Sequence, residues 1–107
     1  DLVRSRGLGD VYKRQRWMIL VDAAMAYQNA GQCPRALVVA RDADAASAGP
    51  MPPQWQGNRI SVDAICWDEA GRRDEARSRA AQALDILKPF LSPTSPFKAR
   101  LEAVAAR

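Results

Sequence analysis

Small and apolar residues recur at intervals of four, three and four through Ile60, Ala64, Trp67 and Gly71, which is one face of an α-helix. Beyond Gly71, the residues Ala76, Ala80, Ala83, Leu84 and Leu87 mark a second face of the same kind. The Gly-Arg-Arg-Asp stretch between them predicts a tight turn. Gly71 takes the left-handed conformation that ends a helix at little cost. Asp74 and Glu75 place negative charge at the positive end of the next helix dipole. Glu75 and Arg79, four apart, are expected to pair weakly on the solvent side. Ala76, Ala80 and Ala83 let the second helix lie close to the first, and Trp67 is expected to fill the space they leave.

A frame shift of 40 residues brings the pattern back. Leu20, Ala24, Tyr27, Gly31, Ala36, Ala40 and Ala43 stand over Ile60, Ala64, Trp67, Gly71, Ala76, Ala80 and Ala83. Recurrence at a fixed period is the mark of stacked repeats. Pro34 is well placed as the first helical residue after the Gly31 turn. The helix starting near Trp17 reads as a buried one that packs on an upstream repeat. In 48–57, prolines and glycines interrupt the helical pattern. Trp55, inside that loop, is expected to cap the seam between hairpins. Ser95-Pro96 is a strong helix start, with Ser as N-cap and Pro in the first turn. Phe97, Leu101 and Val104 then form the inner side of a last short helix.

At these residues the chain resembles the tetratricopeptide repeat (TPR) family. That family pairs helices in units of about 34 residues. A small residue and an aromatic lie on the first helix, a Gly at the turn, and Ala on the second. Ala24, Tyr27, Gly31, Ala36 and Ala43 fit those positions, as do Ala64, Trp67, Gly71, Ala76 and Ala83. Leu20 and Ile60 replace the family's early aromatic, and Ala48 and Lys88 its helix-ending proline. The resemblance covers roughly 17–89. It implies an all-α fold: an α-solenoid of antiparallel helical hairpins, with hairpins at about 17–47 and 57–88 and a capping helix at about 95–106. In the family, first helices line a concave groove. Carried over by position, this places Met18, Val21, Met25, Gln28 and Asn29 on the groove, beside Asn58, Ser61, Ile65, Asp68 and Glu69.

The first fifteen residues carry a different signature. Ser5–Gln15, SRGLGDVYKRQ, resembles the translation of a common transposase sequencing adaptor, and the match extends upstream to Asp1. We therefore expect 1–15 to be a non-native leader and the repeat domain to occupy 16–107. The leader holds four basic residues (Arg4, Arg6, Lys13, Arg14) and two acidic ones (Asp1, Asp10), so the formal net charge of +4 falls to +2 without it. A balance that slight does not point to nucleic acid. The apolar run Trp17–Val21 is soon interrupted by Asp22 and is too short to span a membrane. With 48% hydrophobic residues the chain is expected to be globular. Many of these residues are Ala, which packs closely but buries little area. Hairpins of this kind depend on their neighbours.

Chemistry is sparse. There is no His in the chain, which removes the usual general base at neutral pH. Asp42 and Asp44, two apart on a helix, diverge and read as a solvated face. The pairs Asp68-Glu69 and Asp74-Glu75 suit capping and solvation better than acid–base work. Cys33 and Cys66 lack companion ligands for zinc. Cys66 reads as a small core residue and Cys33 as an exposed turn residue. A disulfide between them is open but unforced, which fits a reducing compartment. No catalytic, cofactor-binding or metal-binding residue is assigned. The expectation is a cytoplasmic, non-catalytic scaffold for a protein or peptide, or for another domain of the same chain. The mixed apolar and acidic groove favours an extended apolar or basic segment. The alternative is the C-terminal repeat tail of a bacterial multidomain signalling or transcriptional regulator, a kinase, cyclase or winged-helix activator, whose active part lies upstream.

Overall fold

The computed structural model describes residues 2–47 and 49–107, and among them the regular structure is entirely helical. The elements are α1 (Leu2–Asn29), α2 (Cys33–Ala46), α3 (Pro53–Glu69), α4 (Arg73–Leu87), a short 3₁₀ turn (Lys88–Phe90) and α5 (Pro96–Ala105). No helix among the described residues is long and apolar enough to cross a membrane.

The two hairpin turns are built alike. Gly31 and Gly71 have φ of 75° and 85°. The Gly31 N–H donates to the Gln28 carbonyl at 3.1 Å, and the Gln32 N–H to that of Tyr27 at 2.9 Å. The Gly71 N–H donates to the Asp68 carbonyl at 3.1 Å, and the Arg72 N–H to that of Trp67 at 2.9 Å. This paired pattern satisfies helix-end carbonyls that would otherwise be orphaned. It recurs at the same 40-residue offset as the sequence pattern.

Packing follows from the turns. Trp17 and Val21 pack with Ala43, while Ala24 packs with Cys33, Ala36 and Ala40, so α1 and α2 run antiparallel. In the second hairpin Ala64 and Ile65 cluster with Ala76, Ala80 and Ala83, and the start of α3 meets the end of α4 at Leu87. Trp67 and Tyr27 are partly buried against these clusters. Val62 and Cys66 of α3 pack into the Ala24–Ala36–Ala40 cluster, which joins the hairpins side by side. Leu101 and Val104 bury α5 against α3 and α4, and the Ser95 hydroxyl accepts the Lys98 N–H at 3.3 Å as an N-cap.

Three features depart from the sequence expectation. First, α3 begins at Pro53 rather than near residue 57. Proline halts a helix from within but suits its first turn. Here the Pro52 carbonyl accepts the N–H groups of Trp55 and Gln56 at 3.0 and 3.1 Å. Trp55 thus stands on the first turn of α3 and still covers the seam cluster of Trp17, Val21, Ala43 and Met51. Second, Gly57 is a helical contact rather than a loop residue. A Cβ added there would lie 2.5 Å from Leu87 Cγ and 3.2 Å from Ile86 Cγ2. Third, α1 crosses the expected boundary at residue 16 without a break. Val11 to Arg16 are exposed, and Trp17, the next residue, is 4% exposed.

Candidate binding groove

Ten residues on α1 and α3 were expected to line a groove. Four of them are packing positions: Val21, Gln28, Ser61 and Ile65 are at most 2% exposed. The reason is that α1 and α3 pack on each other and on their partner helices, which closes the faces these residues occupy. Ser61 donates its hydroxyl to the Asn58 carbonyl one turn back, at 2.6 Å. Gln28 donates its Nε2 to Asn29 Oδ1 at 3.2 Å, and its buried Oε1 has no hydrogen-bond partner among the described residues. Met18, Met25, Asn58 and Asp68 are half-buried, and Asn29 and Glu69 are exposed.

Three of the six accessible members divide between two clefts. Met25 and Asn29 line a cleft of about 420 Å³ whose opposite wall is Ser95, Pro96, Phe97 and Arg100 of α5. Met18 instead lies with Gln15, Ile19, Asp22 and Trp55 around a shallow opening of about 290 Å³ between α1 and the start of α3. Asn58, Asp68 and Glu69 line neither. Nothing in the sequence of α5 marks it as more than a cover, so its wall is seen only in the fold. The inner-face pattern of Phe97, Leu101 and Val104 shows that the helix packs, but not beside which helix.

This wall also changes the electrostatics. Arg100 Nη2 lies 3.4 Å from Glu69 Oε1, and Arg107 Nε lies 3.3 Å from Asp68 Oδ2. The acidic end of α3 is therefore paired with α5 and with Arg107 just beyond it. A cation stands at the groove edge that the α1 and α3 positions do not supply.

Two ties hold the hairpins that shape the cleft. Cys33 and Cys66 form a disulfide with a Cα–Cα distance of 5.3 Å. Cys33 is not an exposed turn residue. It is the first residue of α2, facing the α3 end of the next hairpin, and is 6% exposed. Arg59 of α3 is the second tie. Its Nε and Nη2 donate to the two carboxylate oxygens of Asp44 on α2 at 2.8 and 2.7 Å, while Nη1 lies 3.0 Å from Asp63. Burial works against the charge on this guanidinium. The Asp44 hydrogen bonds and the field of Asp63 outweigh it, so the group is held even more firmly protonated than usual. Asp44 is thus a hairpin-joining residue as well as a solvated one.

The Trp67 ring meets two guanidinium groups, with Arg72 at 4.6 Å and Arg79 at 5.4 Å from its centre. Arg79 is therefore engaged by Trp67, and Glu75 pairs with Arg72 instead. That hydrogen bond holds the Glu75 carboxyl below its usual range. No group of three or more His, Cys, Asp or Glu side chains is placed to hold a metal ion among the described residues.

Comparison with known proteins finds no family model, no curated protein and no solved structure that matches this chain.

Proposed function

We propose that the chain is a non-catalytic, TPR-like repeat module that holds an extended protein segment in the cleft between α1 and α5. Its two hairpins would be successive units of a solenoid, with α5 in the place of the next first helix. The observation that carries this reading is the cleft itself. Met25, Pro96 and Phe97 offer apolar surface, and Asn29, Ser95 and Arg100 offer polar groups at its rim. A few polar groups around apolar walls suit peptide recognition. Since Arg100 and Arg107 already face Glu69 and Asp68, an apolar segment fits better than a basic one. Another domain of the same chain is an equally suitable source of that segment. The disulfide favours an oxidising compartment over the cytoplasmic one expected from the sequence.

The test is selection of short displayed peptides on the full chain, followed by anisotropy titration of those recovered. Met25→Lys or Phe97→Glu is expected to weaken their binding about tenfold or more, about 1.4 kcal/mol. Peptides that bind both variants as well as the parent chain would place the site elsewhere.

A further inference from the structure

We propose that the Cys33–Cys66 disulfide is a reducible interlock between the two hairpins, opened by a dithiol reductant and controlling how firmly α1 and α2 are held on the rest of the molecule. Each hairpin has its own glycine turn and its own alanine-lined packing. α5 belongs with the second hairpin, through Leu101, Val104 and the Arg100–Glu69 and Arg107–Asp68 pairs. The contacts between hairpins are of a different kind. At the turn end Val62 and Cys66 meet Ala24, Ala36 and Ala40, small side chains that bury little area, while at the far end Trp55 covers Trp17, Val21 and Ala43. Arg59 reaches Asp44, a partner that is 55% exposed on its side chain. The covalent bond is therefore the firmest tie at the turn end of the seam, whereas Trp55 and Arg59 hold its other end.

The chemistry balances as thiol–disulfide exchange. A thiolate of the dithiol attacks the Sγ of Cys33, which is the less buried of the two residues at 6% exposed against 2%. The S–S bond breaks and Cys66 leaves as a thiolate. The second thiol of the reductant then attacks its own sulfur in the mixed disulfide and displaces Cys33. Negative charge departing on Cys33 sits at the start of α2, where the helix dipole favours it. The dithiol gives up two electrons and two protons and ends as a disulfide, and the two cysteines end as thiols. Met25 and Asn29 on α1 and Phe97 and Arg100 on α5 lie on opposite sides of this interlock. Its opening therefore loosens one wall of the cleft against the other, a consequence that rests on the proposed function while the interlock itself does not.

The experiment uses the full 107-residue chain and dithiothreitol as the probe, read by thiol titration and by hydrogen exchange resolved to each helix. No thiol is expected to titrate in the oxidised chain, and two are expected after reduction. Exchange in α1 and α2 should then rise about tenfold or more, while α3, α4 and α5 stay within about twofold. The double variant Cys33→Ser with Cys66→Ala should show the reduced pattern and ignore dithiothreitol. If that variant does not fold, reduction and reoxidation of the parent chain decides the matter. Thiols that resist an oxidising glutathione couple, exchange in α1 and α2 that ignores reduction, or equal loss of protection in all five helices would each overturn the proposal. None of these readouts involves a peptide, so failure to find a groove ligand leaves them intact.

Discussion

Arg59 and Asp44 join the two hairpins by a two-pronged hydrogen bond, at 2.8 and 2.7 Å, from the first half of α3 to the last turn of α2. The same guanidinium neutralises Asp63, whose side chain is only 11% exposed. The partners are therefore unequal. Truncating Arg59 strands a buried carboxylate, which is costly, whereas truncating Asp44 removes a partner that water readily replaces. Arg59→Ala is expected to cost about 2–4 kcal/mol, and Asp44→Ala about 1 kcal/mol or less. Urea unfolding of the two variants measures the order. Asp44→Ala costing as much as Arg59→Ala would show that the inter-hairpin bond, not the buried acid, dominates.

The turns at Gly31 and Gly71 were legible because glycine, helix-face alanines and aromatics repeat in one register. Each of those signals is local to about two helical turns. The Arg59–Asp44 bond was not legible, because its partners lie 15 residues apart on different helices and nothing local distinguishes Asp44 from Asp42. The burial of four expected groove residues was not legible for a related reason. Periodicity assigns a residue to a helix face but does not say whether a third helix covers that face. Val21, Gln28, Ser61 and Ile65 are covered, while Ser95, Phe97 and Arg100 line a cleft from a segment read only as a cap.

Gly57 tests how closely α3 and α4 approach. An added methyl gains helix propensity of about 1 kcal/mol. It also meets Leu87 Cγ at 2.5 Å and Cδ2 at 2.7 Å, and Leu87 is fully buried with little room to retreat. Overpacking of this kind costs about 1–3 kcal/mol. Gly57→Ala is expected to lower the denaturation midpoint, and the double variant with Leu87→Ala should show coupling between the two sites. A rise in stability for Gly57→Ala alone would mean the helices separate easily.

Gln28 offers a stabilising substitution. Among the described residues its buried Oε1 has no hydrogen-bond partner, and its Nε2 is engaged by the neighbouring Asn29. Gln28→Met keeps the unbranched shape and removes the desolvated amide. It is expected to stabilise by about 1 kcal/mol. A loss of stability in thermal unfolding would point to water or a further donor at that amide.

Glu75 provides the pH dependence. Its hydrogen bond from Arg72 holds the folded carboxyl below the ordinary value of 4.5. A carboxyl lowered on folding contributes stability that is fully present above its unfolded value and disappears as pH falls through the folded one. The pair is exposed, so the effect on unfolding is small and the direct measurement is NMR titration of the Glu75 side chain. Arg72→Gln should return the midpoint towards the ordinary value. An unchanged midpoint would assign the shift to something other than Arg72.

Helix α5 combines a buried anchor with a surface ion pair, and substitutions separate the two. Leu101 is fully buried against Ala64, Ile65 and Leu87, so Leu101→Ala is expected to cost about 2–5 kcal/mol. The Arg100–Glu69 pair is 3.4 Å long, with both side chains more than two-fifths exposed. Arg100→Ala should therefore cost less than about 1 kcal/mol. Charge reversal at Glu69 likewise acts on α5 through Arg100, so a binding defect in such a variant does not by itself report on the groove. Arg100→Ala avoids that difficulty, because it alters the cleft wall and leaves the Leu101 anchor in place. A chain that keeps its melting temperature but binds selected peptides more weakly would assign Arg100 to recognition. One that unfolds early would assign it to the fold.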